Sequence, residues 1–348
     1  MLMYCADRHR DSRHGWSVIE LIVTAAIALV LISLSLMALQ QARESARRMQ
    51  CQNNLRQVNM GLQAFHNAEQ HLPSLYNGTS LAYPLSEWDL FHLHSWRAML
   101  LPYVEQSALH GRIAWDKLAT EDENIPIGQS AVPIYLCPSS GSPEKMGQGL
   151  KHACGTMAPT PYDPSNYYQL VRSDYDAMAG IQVLPDPIPA GKTMDSTDFV
   201  RWGVWGWPVF DQPEIAGTKM HSYQLGKFGH VSDGLSNTII VTERGGKPYL
   251  YKEGKRISFP EDPNPEMGYP GQVGWSASST FRWSIHSNQV GVNENNGSGT
   301  YSLHPGGANV AIADGSVHFL SDNVSFETLV SLYGRADGGL PFDPSNPQ

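Results

Sequence analysis

GWSVIELIVTAAIALVLISLSLMAL, residues 15–39, carries a single charge, Glu20, in an otherwise apolar or hydroxyl-bearing run. At 1.5 Å per residue, positions 16–39 make a helix of about 36 Å, enough to cross a hydrocarbon core of about 30 Å. The preceding MLMYCADRHRDSRHG (1–15) is polar, with Arg8, Arg10 and Arg13 beside Asp7 and Asp11. An ordinary secretory signal is cut after a shorter apolar core. Here the full span follows the polar leader, so Gly15 is expected on the cytoplasmic side. Glu20 needs an explanation, because a carboxylate within a spanning helix costs about 2.5–3.5 kcal/mol at the centre and normally has a partner. It stands four residues, about 6 Å, from position 16. An amino group freed by cleavage after Gly15, its own or a neighbour's, would supply the counter-charge.

The order Gly15, an aromatic at Trp16, Glu20 and then an apolar run resembles the prepilin cleavage and methylation motif of type IV pilin-like proteins. The resemblance implies that a prepilin peptidase cuts between Gly15 and Trp16 and methylates the new terminus. It also implies that Glu20 sets the register of neighbouring subunits in the membrane. The family usually has Phe where Trp16 stands. Arg43, Arg47, Arg48 and Arg56 beyond the span match or exceed the leader arginines, so the motif, and not the charge bias, orients the chain.

No proline occurs before Pro73, and residues 40–71 continue in good helix formers. Cys51, Leu55, Val58, Leu62 and Phe65 alternate steps of four and three, which puts one apolar stripe on one face. A spine of about 80 Å from Trp16 to about His71 is expected, its stripe covered by the protein's own sheet or by a neighbouring subunit. Gly61 lies inside it and predicts a close contact or a slight bend.

After Pro73, Gly, Pro, Trp and Tyr punctuate short runs, the usage of a turn-rich β domain. The predicted fold is α+β: leader 1–15, transmembrane helix 16–39, stem helix 40–71, and a mainly antiparallel β head over 72–348 with an irregular, peripheral insert at about 141–225. Residues 95–109 read as a helical pair with Pro102 in the first turn of the second part. Residues 132–139 read as a strand, and residues 238–242 as a buried strand after a turn at Asp233-Gly234. Asp314-Gly315 reads as a two-residue hairpin turn. That register pairs Ile312 with Val317 and Val310 with Phe319 on one apolar face, leaving Asn309, Ala311 and His318 on the other.

His304, nine residues and Asp314-Gly315 resemble the C-terminal motif of a large bacterial family of prepilin-like proteins, domain-of-unknown-function family 1559, also called solute-binding protein family 10. RRMQCQNNLRQVNMGLQAFHN (47–67), SWRAMLLPYVEQ (95–106), IYLCPSS (134–140) and SDGLSNTIIVTE (232–243) resemble its recurring blocks in order. The likeness spans residue 15 to about 335. RADGGL (335–340) lacks the Glu with which the family usually ends. The resemblance implies a processed, membrane-anchored, pilin-like protein of unestablished activity.

The formal charge of −9, without clustered Lys and Arg, argues against a nucleic-acid partner. Cys5, Cys51, Cys137 and Cys154 show no C-x-x-C spacing, which argues against a thiolate metal cluster. With the leader removed, Cys137 and Cys154 could close one short loop in an oxidising compartment, leaving Cys51 as a small buried apolar residue. His304 and Asp314 invite an acid–base reading, but a turn explains Asp314 and an entry loop explains His304. His92 and His94 lack a third nearby ligand for zinc. Asn293, Glu294, Asn295 and Asn296 lack an EF-hand spacing for calcium and read as a solvated loop. Metal, cofactor and catalysis are therefore not expected. The expected partners are prepilin peptidase, membrane lipid and other pilin-like subunits. The leading reading is a single-pass inner-membrane protein with its head outside the cytoplasm, a pilin-like or pseudopilin-type structural or secretion-associated subunit. The alternative is an anchored solute- or glycan-binding module whose aromatic-rich region 160–285 forms the pocket.

Overall fold

The computed structural model describes residues 17–75, 94–140, 145–150, 167–185, 187–190, 200–209, 222–247, 250–257, 274–277, 285–286, 290–297 and 299–335. Gly15, Trp16, His92 and Cys154 lie outside them. The chain divides into two compact units, Met1–Ala46 and Arg47–Gln348.

Helix α1 (Val18–Glu69) is continuous over 52 residues. Its first turn is closed by a reciprocal cap: Ser17 N–H donates to Glu20 Oε2 at 2.8 Å, and Glu20 N–H approaches Ser17 Oγ at 3.4 Å. This S-x-x-E arrangement satisfies two donors that helix geometry leaves without intrahelical partners. The hydroxyls within the span return to the helix backbone. Thr24 donates to Glu20 O, Ser33 to Val30 O and Ser35 to Leu31 O, so none asks for water. The large apolar side chains from Val18 to Leu39 are exposed. This is the one helix among the described residues long and apolar enough to cross a membrane.

In the second unit, four strands form an antiparallel sheet in chain order: β1 (Tyr175–Ala177), β2 (Ile239–Glu243), β3 (Gly307–Ile312) and β4 (Val317–Ser321). Every residue of β1, β2 and β3 is buried, because both faces of the sheet are covered. On one side lies the stem part of α1, whose Cys51, Leu55, Val58 and Leu62 are fully buried with Tyr175, Ala177, Val241, Ala311 and Ala313. On the other side Ala308, Val310, Ile312 and Ile239 pack with Leu329, Val330 and Tyr333 of a C-terminal helix, Phe326–Tyr333. At roughly 2 kcal/mol per buried aliphatic side chain, the stem stripe is a major part of the core. The predicted stripe and its cover by the protein's own sheet are what the structure shows. Phe65 is only partly buried, beside Tyr103.

Polar residues of the stem reach the sheet as well. Asn59 Nδ2 donates to Ile312 O at 2.7 Å, Gln63 Nε2 to Ala313 O at 2.8 Å, and Gln52 Nε2 to Asn309 Oδ1 at 3.1 Å. The Arg48 guanidinium lies over the Phe319 ring, 3.3 Å from its centroid, a cation–π contact. Gly61 is a point of close approach: a Cβ there would lie 2.8 Å from Val104 Cγ1 and 3.3 Å from Tyr103 O.

Four local expectations are corrected. The hairpin turn has three residues, Ala313 to Gly315: Ile312 N–H donates to Ser316 O, Gly315 N–H donates to Ile312 O, and Gly315 has φ +99°. The register therefore pairs Val310 with His318 and Asn309 with Phe319. Val310 and Ile312 turn toward the C-terminal helix, while Asn309 and Ala311 turn toward the stem. Residues 132–139 are no strand. Pro133, which lacks an N–H for a ladder, opens a single 3₁₀ turn, Pro133–Tyr135. The insert is not all peripheral, because Tyr175–Ala177 is a buried strand of the main sheet and Trp205 is in the core. Asn295 and Asn296 are buried rather than solvated. Asn296 holds Tyr251 N–H and Gly245 O, and Asn293 holds Ser302 N–H and Gly307 O.

The helical pair is present as Trp96–Leu100 followed by a 3₁₀ turn, Leu101–Val104, with Pro102 in its first turn. A smaller sheet sets Gly180–Gln182 antiparallel to Val200–Trp202 and parallel to Ile285–His286.

Candidate functional site

The stem stripe brings Cys51 against the extended segment after Pro133–Tyr135, where it is disulfide-bonded to Cys137 across 86 residues, with Cα atoms 5.3 Å apart. This corrects the Cys137–Cys154 expectation. Sequence proximity favoured a short loop, whereas packing of the helix presents Cys51 to Cys137 from a distant block. The bond ties stem to head, and both cysteines are buried.

Two further buried side chains converge on the disulfide. His304, just before β3, places Nε2 at 3.5 Å from Cys137 Sγ and 3.5 Å from Glu243 Oε1. Glu243 ends β2. Its carboxylate accepts from Asn309 N–H at 2.7 Å and from Asn309 Nδ2 at 3.0 Å. One ligand-type atom from each of Cys51, Cys137, Glu243 and His304 lies within 4.8 Å of all the others. Main-chain contacts hold two of these residues: the His304 backbone N–H donates to Ser302 Oγ, and the Cys137 backbone N–H donates to Asp174 Oδ2 at 2.8 Å.

A network of buried charges adjoins this cluster. The Asp176 carboxylate bridges two guanidiniums, with Arg97 Nη2 at 2.7 Å and Arg244 Nη1 at 2.9 Å. Arg172 pairs with Asp174 at 3.0 Å. Burial pushes the Asp174 carboxyl up against the opposing pull of Arg172, and burial lowers the Arg244 guanidinium against the pull of Asp176. Lys247 is driven well below its ordinary value by burial and then by Arg244, which favours its neutral form. Such pairs cost desolvation and fix geometry more than they stabilise. They hold β1, the end of β2 and Trp96–Leu100 in one arrangement.

His304 and Asp314 stand at opposite ends of β3 and make no acid–base pair. Asp314 sits in the hairpin turn and accepts from Ser316 N–H at 2.9 Å. Partial burial pushes its carboxyl up, but hydrogen bonds from Ser316 and Ser236 outweigh that and hold it low. Asp233 and Gly234 form a half-buried turn in which Gly234 has φ +94° and Asp233 O accepts from Asn237 Nδ2. His94 is buried and its Nε2 meets Lys117 O at 3.0 Å. Trp205 and Trp275, from the region considered for a ligand pocket, are buried in the core.

Sequence reading missed Glu243, Asn309, Arg97, Asp176 and Arg244. The available signal was charge in apolar context: Glu243 closes the run IIVTE, and Arg97 follows Ser95-Trp96 in an otherwise apolar helix.

A helix long and apolar enough to cross a membrane, continuing into a stem with one buried face on a mainly antiparallel sheet domain, defines an α+β protein. Residues 40–327 match the model of a family described as "protein of unknown function (DUF1559)". The chain belongs to that family. Comparison with curated proteins and with solved structures gave no match.

Proposed function

We propose that this chain is a pilin-like, membrane-anchored structural subunit without catalytic activity, processed between Gly15 and Trp16 by a prepilin peptidase. The observation that carries the reading is the cap of α1. The helix begins two residues after the proposed cleavage point, and Glu20 already faces its N-terminus through Ser17 N–H at 2.8 Å. An ammonium at Trp16 would lie one peptide unit, at most about 4 Å, from that nitrogen. Glu20 would then neutralise a charge created by processing, in its own chain or in an adjacent one, in addition to the helix dipole. The apolar surface from Val18 to Leu39 is available for lipid and for equivalent helices. The head would sit outside the cytoplasm, where the Cys51–Cys137 bond is chemically suited.

Mass spectrometry of the N-terminal peptide from the membrane-extracted protein tests this. An N-methylated chain beginning at Trp16 supports it. A chain still beginning at Met1, or one cut near Ala38 or Ala42, overturns it.

A further inference from the structure

We propose that Cys51, Cys137, Glu243 and His304 form a closed Zn²⁺ site when the disulfide is reduced, so that the stem is tied to the head either by a disulfide or by a metal. The inference goes beyond the pilin-like reading and does not depend on cleavage at Gly15.

The donor set fits zinc. Two thiolates with an imidazole and a carboxylate are ligands that Zn²⁺ takes tetrahedrally, at about 2.3 Å to sulfur and about 2.0–2.2 Å to nitrogen or oxygen. Soft sulfur ligands favour zinc over magnesium or calcium. Those bond lengths space sulfur and nitrogen about 3.5 Å apart, and nitrogen and oxygen about 3.4 Å apart. His304 Nε2 already stands 3.5 Å from Cys137 Sγ and 3.5 Å from Glu243 Oε1. The two sulfurs of such a site would be about 3.8 Å apart, too far for a bond, so disulfide and metal exclude one another. All four residues are buried, which suits a structural site with no open coordination position.

The surroundings supply the second set of contacts that metal sites use to aim their ligands. Asn309 clamps the Glu243 carboxylate with two hydrogen bonds and is itself held by Gln52 Nε2 at 3.1 Å. The main chain at Cys137 and His304 is held as well, by backbone N–H bonds to Asp174 and Ser302. Cys51 comes from the stem helix, Cys137 from the extended segment after Pro133–Tyr135, Glu243 from the end of β2 and His304 from the entry to β3. One ion would therefore clamp four separate pieces of chain.

The chemistry balances with a dithiol as reductant. It transfers two electrons and two protons to the Cys51–Cys137 bond and becomes a cyclic disulfide, leaving two protein thiols. Zn²⁺ then displaces both thiol protons to solvent and binds two thiolates, the Glu243 carboxylate and neutral His304.

The test uses the full chain in detergent, reduced with dithiol and desalted without oxygen. It is titrated with Zn²⁺, and separately with Co²⁺ as a spectroscopic substitute. The expected result is one ion per reduced chain and none per oxidised chain. Bound Co²⁺ should show thiolate charge-transfer absorption and tetrahedral visible bands, and Zn²⁺ should protect Cys51 and Cys137 from alkylation. Cys5→Ser/Cys154→Ser should bind as the parent does, while His304→Ala, which removes a direct ligand, should lose more than the roughly 10–100-fold that loss of an outer contact costs. A reduced parent chain that takes up no stoichiometric metal, or a Co²⁺ spectrum without thiolate absorption, overturns the proposal whatever the variants do. Unchanged affinity in His304→Ala overturns the ligand assignment.

Discussion

Removing the Cys51–Cys137 bond measures how firmly the stem belongs to the head. The cysteines are 86 residues apart, and in the chain-entropy account a cross-link closing a loop of that length restricts the unfolded chain by about 4.6 kcal/mol at 25 °C. At about 2 °C per kcal/mol for a domain of this size, Cys51→Ala/Cys137→Ala should lower Tm by about 9 °C. The assay is urea and thermal unfolding of the full chain in detergent, without reductant so that the parent keeps its bond. Fluorescence of the buried Trp96, Trp205 and Trp275 reports the core. Cys154→Ser serves as the control and should leave the transition unchanged. A loss under about 1 kcal/mol in the double variant, or a non-reducing peptide map that joins Cys137 to Cys154, would refute the reasoning.

Three other perturbations probe separate features. Gly61→Ala should stabilise an isolated helix by about 1 kcal/mol. In this protein it should instead destabilise by about 1–3 kcal/mol, because its Cβ would meet Val104 Cγ1 at 2.8 Å; equilibrium unfolding in urea decides the sign. Burial holds the His94 imidazole below its ordinary 6.5, against backbone hydrogen bonds that raise it. The unfolded chain then takes up the proton first, so His94 contributes stability above about pH 6.5 that is lost as the pH falls through the lower folded value. Urea midpoints between pH 7.5 and about pH 5 should drop, with a smaller drop in His94→Gln, and identical profiles would remove His94 as the cause. Glu20→Ala should leave the protein in the membrane fraction but abolish crosslinked multimers, and unchanged multimers would count against a role for Glu20 in assembly.

Patterns set by the chain's local chemistry were legible without coordinates. The apolar run after Gly15, the stripe at Cys51, Leu55, Val58 and Leu62, and the buried strand read at 238–242, found at Ile239–Glu243, follow from apolar patterning, which acts over a few residues. The turns at Asp233-Gly234 and Asp314-Gly315 follow from the conformational freedom of glycine. The hairpin register was misread because one extra loop residue, Ala313, shifts β4 by one position and exchanges which of its side chains share a face with Val310 and Ile312. Nothing in Asp-Gly distinguishes a two-residue from a three-residue loop until the strand is packed on both faces.

The disulfide partner and the converging cluster were of another kind. Cys51, Cys137, Glu243 and His304 are scattered over more than 250 positions of sequence, and their spacing carries no metal or redox signature. They meet because the stem stripe docks on the sheet, and that docking aims Cys51 at Cys137 and sets Asn59 and Gln63 against the hairpin carbonyls. Periodicity announced that one face of the stem helix had to be buried. Which residues would meet there depended on the register of β3 against β2 and β4, a long-range choice made by packing both faces of the sheet at once.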